Sequence, residues 1–189
     1  MAHHGVVLVK NTSFGVELII AAVGSCFLAL MSQAAVSLTV TPIPVTLQTL
    51  GVFLLGGFLG SRRATYSVLA YLIQGCCGLP VFAGGVRDSL WIVGPQAGFL
   101  VSFIIAAFLI GKMIERKPLG NILYILFSLI LGKLVIFSIG MTWLSFYVGV
   151  SDAFMLGVLP FLSGAALKMM VASLAIRFYR ASRGNITWH

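Results

Sequence analysis

The sequence predicts an all-α integral membrane protein with six transmembrane helices and both termini in the cytoplasm. Three observations lead to this fold class. Hydrophobic residues make up 60% of the 189 residues, and the mean hydropathy is +1.09. Charged residues make up only 8%, against about 25% in an ordinary soluble domain. The Lys and Arg residues lie in short clusters between apolar segments, and these clusters alternate from loop to loop.

These values exclude a soluble globular protein, a disordered chain and a collagen-like chain, because so much apolar surface needs lipid as its solvent. Nucleic acid is not expected as a partner, although the net charge is +8. The basic clusters are short and few aromatic residues interleave with them, which is not the pattern of a nucleic-acid-binding surface.

The apolar segments predict the individual spans. A spanning helix needs about 20 apolar residues, and residues 1–189 hold six such segments in a single membrane domain. The predicted spans are roughly 16–36, 45–60, 64–82, 91–111, 120–148 and 153–178. Nine Lys and Arg residues flank these spans on one side and one flanks them on the other. By the positive-inside rule, the basic side and both termini are cytoplasmic, which fits a multi-pass protein of the cell membrane.

Enzyme signatures are missing from the sequence. The three His residues stand at the chain ends, which leaves no His inside a span for a catalytic triad or a metal site. No GxxxxGK[ST] phosphate loop is present. We therefore expect neither an enzyme nor a cofactor or metal site, and expect another protein to supply the energy if the chain transports actively.

Two cations fall inside predicted spans, where polar residues are costly and usually functional. Lys168 lies near the external end of the sixth span. Its ammonium is expected to pair with a ligand carboxylate, and the alternative is a side chain that reaches the interface. Lys133 lies in the middle of the fifth span, and we expect a structural partner for it, such as a backbone carbonyl or a polar neighbour.

Polar and flexible residues also gather at the predicted external side. Gln48 follows two Pro residues at the start of the second span, where it either contacts a ligand or caps the helix. The third loop contains Gly84-Gly85 and then Arg87 and Asp88, and such a loop is suited to fold over a pocket as a lid. Its alternative is an ordinary solvated turn.

Aromatic and small residues suggest two further roles. Trp143 is expected either to form an aromatic wall for an apolar ligand or to anchor the chain at the membrane interface. Ala21, Ser25 and Ala29 align on one face of the first span. That face either docks another membrane protein or packs within the bundle.

Several segments, in order along the chain, resemble the BioY family, the biotin-specific substrate-binding components of energy-coupling factor (ECF) vitamin transporters. These segments are PVTLQTL at 44–50, GLPVFAGG at 78–85, GPxxG at 94–98, WL at 143–144 and PFLxGxxxK at 160–168. The chain departs from the family at Ser163-Gly164-Ala165, where family members usually have Pro-Gly-Asp. The acid of that motif is therefore missing, and Lys168 is kept.

The resemblance implies a six-helix bundle that binds biotin near its external side and delivers it to the cytoplasm. The implied partners are membrane lipid, a transmembrane coupling protein and two ATP-binding cassette ATPases, with Ala21, Ser25 and Ala29 as the docking face for the coupling protein. Gln48, Asp88 and the backbone at Gly84 and Gly85 are expected at the ureido head. Phe82 and Trp143 are expected over the apolar part, and Lys168 or Arg87 at the carboxylate.

Two alternatives stay open. The first is a transporter component for a related vitamin or a biotin-precursor acid, admitted because Ala165 replaces the acid. The second is a membrane assembly protein that binds no ligand and uses its small-residue face only to dock partners. Saturable vitamin binding distinguishes the first alternative from the second.

Overall fold

A computed structural model describes residues 13–36, 43–83, 91–117 and 121–182. Its helices are α1 (Phe14–Gln33), α2 (Gln48–Cys76), α3 (Ala97–Arg116), α4 (Ile122–Val148), α5 (Val150–Gly157) and α6 (Leu159–Ser182). Two short strands, β1 (Ala35–Val36) and β2 (Val45–Thr46), pair antiparallel with Ala35 opposite Thr46. A 3-10 turn covers Trp91–Val93. The described part of the chain is thus almost entirely helical, as predicted.

Among the described residues, four stretches are long and apolar enough to cross a membrane: Phe14–Gln33, Ala97–Arg116, Ile122–Val148 and Val150–Ser182. Three of them face mostly outward, since 22%, 33% and 17% of Phe14–Gln33, Ile122–Val148 and Val150–Ser182 are buried inside the protein, whereas 61% of Ala97–Arg116 is buried. Apolar side chains that face outward on long helices need lipid around them. The chain is therefore an all-α membrane protein.

The second and third predicted spans belong to one kinked helix. Gly60 in α2 has φ +81° and ψ −178°, so the helix breaks there into two arms. This region of the φ/ψ map is open essentially only to Gly. Each arm is shorter than the about 20 residues that a straight spanning helix needs. The second arm ends at Cys76, before the predicted boundary at 82, and Gly78 follows with φ +77°.

The α2 kink is held by a side chain from α3. The Glu115 carboxylate accepts hydrogen bonds from the Ser61 backbone N–H at 2.6 Å and from the Ser61 hydroxyl at 3.0 Å. Arg63, two residues further, donates to the Glu17 carboxylate on α1 at 2.7 Å. That hydrogen bond raises the pKa of Arg63. Carboxylates from two neighbouring helices thus fix the turn between the arms.

Two other predicted spans differ from the structure at their starts. The fourth becomes helical only at Ala97, because Pro95 and the preceding 3-10 turn occupy its first residues. The sixth is divided into α5 and α6 at Val158, whose φ and ψ are −121° and −57°. Pro160 then lies in the first turn of α6, where a missing backbone N–H costs no helical hydrogen bond.

The helices form one bundle around a shared core. Helix α2 packs against α1, α3 and α6, while α4 packs against α3, α5 and α6. The start of α2, the start of α3, the middle of α4 and the first half of α6 therefore come together, and the space between them holds the candidate site.

Candidate ligand-binding site

A cavity of about 500 Å³, counting the space at its open mouth, lies between α2, α3, α4 and α6. Its lining includes the amides and hydroxyls of Thr46, Gln48, Thr49 and Gln96, two Lys residues, and a predominantly apolar remainder. The apolar lining residues are Ile43, Pro44, Phe99, Leu100, Phe103, Ile136, Phe137 and Phe161.

The two Lys residues of the cavity come from different helices. Lys168 of α6 donates a 2.6 Å hydrogen bond to the backbone carbonyl of Thr46. Lys133 of α4 is only 7% exposed, and its ammonium lies 3.9 Å from the centre of the Phe137 ring. A cation over an aromatic face is attracted by the ring quadrupole. Among the residues that the structure describes, Lys133 has no hydrogen-bond or ion-pair partner.

No carboxylate balances these two cations at the cavity wall, as far as the described lining residues go. Ala165, one turn before Lys168, is buried at 4% exposure and brings no charge. Buried charges are normally paired because their desolvation is costly. The cavity therefore has two basic groups and no acid among its described lining residues, which suits an anionic ligand.

A hydrogen-bond chain leads away from the cavity through Gln48. The Thr46 hydroxyl donates to Gln48 Oε1 at 3.1 Å, and Gln48 Nε2 donates to the Tyr71 hydroxyl at 2.5 Å. Tyr71 in turn donates to the Val81 carbonyl at 3.2 Å. The Ser32 hydroxyl donates to the same carbonyl. The chain connects the cavity to α1 and to the segment that precedes the third loop.

The aromatic wall of the cavity depends on close packing behind it. A Cβ atom at Gly140 of α4 would lie 2.3 Å from Cδ1 of Phe99. Only a residue without a side chain lets the Phe99 ring occupy that position. Phe99 is buried and faces the cavity from α3, so α4 sets the position of this ring from behind.

Of the predicted ligand residues that the structure describes, Gln48 and Lys168 line the cavity, and Phe82 and Trp143 do not. Phe82 is buried instead between Tyr71 and Trp91, at ring-centre distances of 5.5 and 5.4 Å. It fills the space over Gly75, where a Cβ would lie 2.0 Å from the ring. Phe82 therefore packs into the core away from this cavity, and its contact with the ligand stays a prediction.

Trp143 packs elsewhere for a similar reason. Its indole Nε1 donates to the Gly94 carbonyl at 3.0 Å, and its Cβ lies where a side chain at Gly98 would stand. The Trp143 residue is 36% exposed. Trp143 therefore ties α4 to the start of α3 and does not line this cavity, whose aromatic lining consists of Phe residues. Its contact with the ligand stays a prediction.

The predicted loop residues Gly84, Gly85, Arg87 and Asp88 lie outside the described residues. The segment just before them is anchored to α1. Gln33 Nε2 donates to the Phe82 carbonyl at 3.1 Å, next to the Ser32 contact with Val81.

The predicted docking face of α1 is largely turned inward. Ser25 is fully buried, and its Oγ accepts a 3.0 Å hydrogen bond from Gln74 of α2. Ala21 and Ala29 are partly buried beside it. Ser25 thus packs within the bundle in this conformation, and the docking role of the α1 face stays a prediction.

The sequence favoured a structural role for Lys133 and did not indicate the aromatic lining. A backbone or polar partner was expected for Lys133, and that expectation is wrong among the described residues, since the ammonium faces the cavity. Phe99, Phe103, Phe137 and Phe161 were missed because aromatic residues on apolar helices give no signal of direction. The one available signal was the intramembrane position of Lys133 itself.

Comparison with known proteins decides the family. The model of the BioY family matches residues 8–184. The chain belongs to the BioY family. It is 40% identical over 147 residues to a protein of Pyrococcus horikoshii named as a probable biotin transporter BioY, covering 77% of this chain and 86% of that protein. It is also 37% identical over 150 residues to the biotin transporter BioY of Thermotoga maritima, covering 78% and 88%.

The fold of this BioY family member also matches a solved structure. The crystal structure of the S-component for biotin from an ECF-type ABC transporter is similar with a TM-score of 0.80 and 26% sequence identity. The match covers 88% of this chain and 92% of that one. The resemblance found in the sequence motifs is therefore confirmed, and the chain is a multi-pass membrane protein.

Proposed function

We propose that this chain takes up biotin as the substrate-binding component of an ECF-type transporter. It binds biotin from the external side and delivers it across the cell membrane. The observation that carries this proposal is the electropositive cavity with Lys168, Gln48 and an aromatic wall, in a chain of the BioY family. As a transporter component, the chain is not an enzyme.

The cavity offers a group for each part of biotin. Lys168 provides an ammonium for the carboxylate, with a charge-assisted hydrogen bond. Gln48 provides an amide for the ureido head, and the Phe residues cover the bicycle and the valerate chain. Arg87, Asp88 and the backbone at Gly84 and Gly85 are proposed to close the site from the third loop, where Asp88 replaces the acid that Ala165 lacks.

The proposed topology has six crossings in a single domain, with both termini in the cytoplasm. The α2 kink at Gly60 stands next to Arg62 and Arg63, which supports two short crossings joined at the cytoplasmic side. In this topology Pro44, Gln96 and Phe161 stand at the external ends of their elements. The cavity that they line would then open toward the external side.

Transport needs further proteins in this proposal. The partners are a transmembrane coupling protein and two ATP-binding cassette ATPases, since the sequence has no phosphate loop of its own. Membrane lipid surrounds the outward apolar faces. With Ser25 buried, Ala21 and Ala29 are the residues of the predicted α1 face that stay partly accessible for docking.

Calorimetry of the purified chain in nanodiscs tests this function, with biotin and biotin methyl ester as the two ligands. We expect saturable biotin binding that weakens when the carboxylate is esterified. No binding of biotin by a folded sample would contradict the proposal. Binding that is equal for both ligands would keep biotin and remove Lys168 and Arg87 from the carboxylate.

A second candidate ligand class has one observation in its favour. Ala165 is buried and uncharged where the family motif has an acid, so a related vitamin or a biotin-precursor acid is admitted. Displacement of labelled biotin by such acids at equal or lower concentration would favour this class. A membrane assembly protein without a ligand would bind none of them.

A further inference from the structure

We infer that Lys133 is a second cation for the ligand's anionic group, so that the cavity selects carboxylate ligands with two ammonium groups. This inference rests on the proposed function, because it concerns the same cavity. The inference goes beyond the proposed function because it assigns ligand selectivity to a residue of α4, outside the motifs that carry the family resemblance.

The first argument is the position of the Lys133 ammonium. Lys133 belongs to the lining of the same cavity as Lys168. The residue is 7% exposed. Within the described residues, its ammonium makes no hydrogen bond and contacts the face of the Phe137 ring at 3.9 Å from the ring centre. A Lys whose role was only structural would donate to backbone carbonyls or pair with an acid, and none of the described residues accepts a hydrogen bond from Lys133. The unused donors of Lys133 are therefore available to a ligand.

The second argument is the charge of the cavity. Two Lys residues line it, and its described lining residues include no Asp or Glu. The electrostatic cost of holding two like charges in a poorly solvated space falls when an anion enters between them. One carboxylate lowers this cost for both ammonium groups, whereas a neutral ligand lowers it for neither.

The third argument is depth. Lys168 is the tenth residue of α6, and Lys133 lies 15 residues before the end of α4 at Val148. With a rise of about 1.5 Å per residue, Lys168 lies about 14 Å and Lys133 about 22 Å from the ends of their helices that face outward in the proposed topology. Lys133 thus stands at the inner part of the cavity and attracts the anionic group inward from Lys168.

The test compares Lys133→Met with Lys112→Met, a matched loss of an exposed Lys on α3. Binding of biotin and of biotin methyl ester is measured by calorimetry in nanodiscs. We expect Lys133→Met to weaken biotin binding about tenfold or more and to leave ester binding nearly unchanged. The preference for biotin over its ester should therefore shrink, and Lys112→Met should keep it. Lys133→Arg, which retains the charge, should keep most of the preference.

Two results would overturn the inference while the proposed function stands. One is unchanged binding of both ligands by Lys133→Met. The other is an equal loss for both ligands, which would mean that Lys133 only supports the fold. No biotin binding by the unsubstituted protein would instead count against the proposed function.

Thermal denaturation without ligand gives a readout that does not depend on binding. A Lys with a structural role would destabilise the protein when lost. If Lys133 serves to bind a ligand, Lys133→Met should raise the melting temperature of the ligand-free protein, because the substitution removes an unbalanced buried charge. Lys133→Gln, which is neutral and still polar, repeats the binding comparison if the Met variant is poorly folded. A lower melting temperature in both variants would contradict the inference.

Discussion

The side-chain amide of Gln48 donates a 2.5 Å hydrogen bond to the hydroxyl of Tyr71, which is fully buried. The Tyr71 hydroxyl in turn donates a 3.2 Å hydrogen bond to the Val81 carbonyl. Gln48 itself faces the cavity. The orientation of a proposed ligand contact therefore depends on a residue 23 positions away, which in turn is tied to the segment before the third loop.

Replacement of Tyr71 by Phe tests this dependence. Tyr71→Phe leaves the Gln48 amide and the Val81 carbonyl each short of one partner, so we expect a loss of about 1–3 kcal/mol in the free energy of unfolding. Biotin affinity should fall as well, since the amide is free to rotate. Tyr66→Phe, on an exposed side chain of the same helix, is the control for both measurements. Unchanged binding in Tyr71→Phe would mean that Gln48 needs no support.

Loss of the Lys168 ammonium should weaken biotin binding strongly. Removal of one partner from a buried charged hydrogen bond costs about 2–5 kcal/mol, which is about 30- to 4000-fold in affinity. Lys168→Met should show a loss in this range by calorimetry, and Lys112→Met should not. Affinity equal to that of the unsubstituted protein would remove Lys168 from the carboxylate.

The aromatic wall predicts a contrast between two aromatic residues. Phe161→Ala removes a ring from the cavity lining, and we expect about a tenfold loss of biotin affinity from about 1.5 kcal/mol of lost apolar contact. Trp143→Phe removes the hydrogen bond to Gly94 and part of the ring outside the cavity, so it should lower thermal stability and leave affinity unchanged. The opposite pattern would restore Trp143 as the ligand wall.

The kink of α2 predicts a specific sensitivity at Gly60. Gly60→Ala forces a side chain into a Gly-only conformation and places its Cβ 2.5 Å from Oε1 of Glu115. We expect a loss of about 1–3 kcal/mol from backbone strain alone, plus the cost of displacing Glu115 from Ser61. Gly78→Ala shares the positive φ and has nothing within 4 Å, so it should show the strain without the collision. Equal melting temperatures for the two variants would mean that the Glu115 contact does not stabilise the kink.

Most of the helical architecture was predictable because hydropathy along the chain is a strong signal. The positions of Gly and Pro also indicated where helices end, although α2 keeps its two arms in one kinked element. The importance of Lys168 was predictable because a cation inside a membrane span is energetically costly and is usually functional. Its actual partner was not, since the Thr46 carbonyl becomes a neighbour only when α6 packs beside the start of α2.

The orientation of the helices was what the sequence left open. Helix α4 is apolar around its whole circumference, so periodicity does not indicate which face is buried, and the direction of Lys133 could not be derived. Phe82 and Trp143 were assigned to the ligand because of their location near the external side. Their positions depend on contacts at Gly75 and Gly98, where the absence of a side chain admits a ring. Such fits between distant segments are three-dimensional properties that spacing does not encode.

The close approach of Gly140 to Phe99 has a consequence for how the ligand range of this chain can change. Gly140 does not line the cavity, yet any added carbon atom there would collide with the ring that does. A Gly140→Ala change would push Phe99 toward the ligand and reduce the space for it. A substitution at Gly140 can therefore reduce the volume of the cavity, although Gly140 itself does not line it.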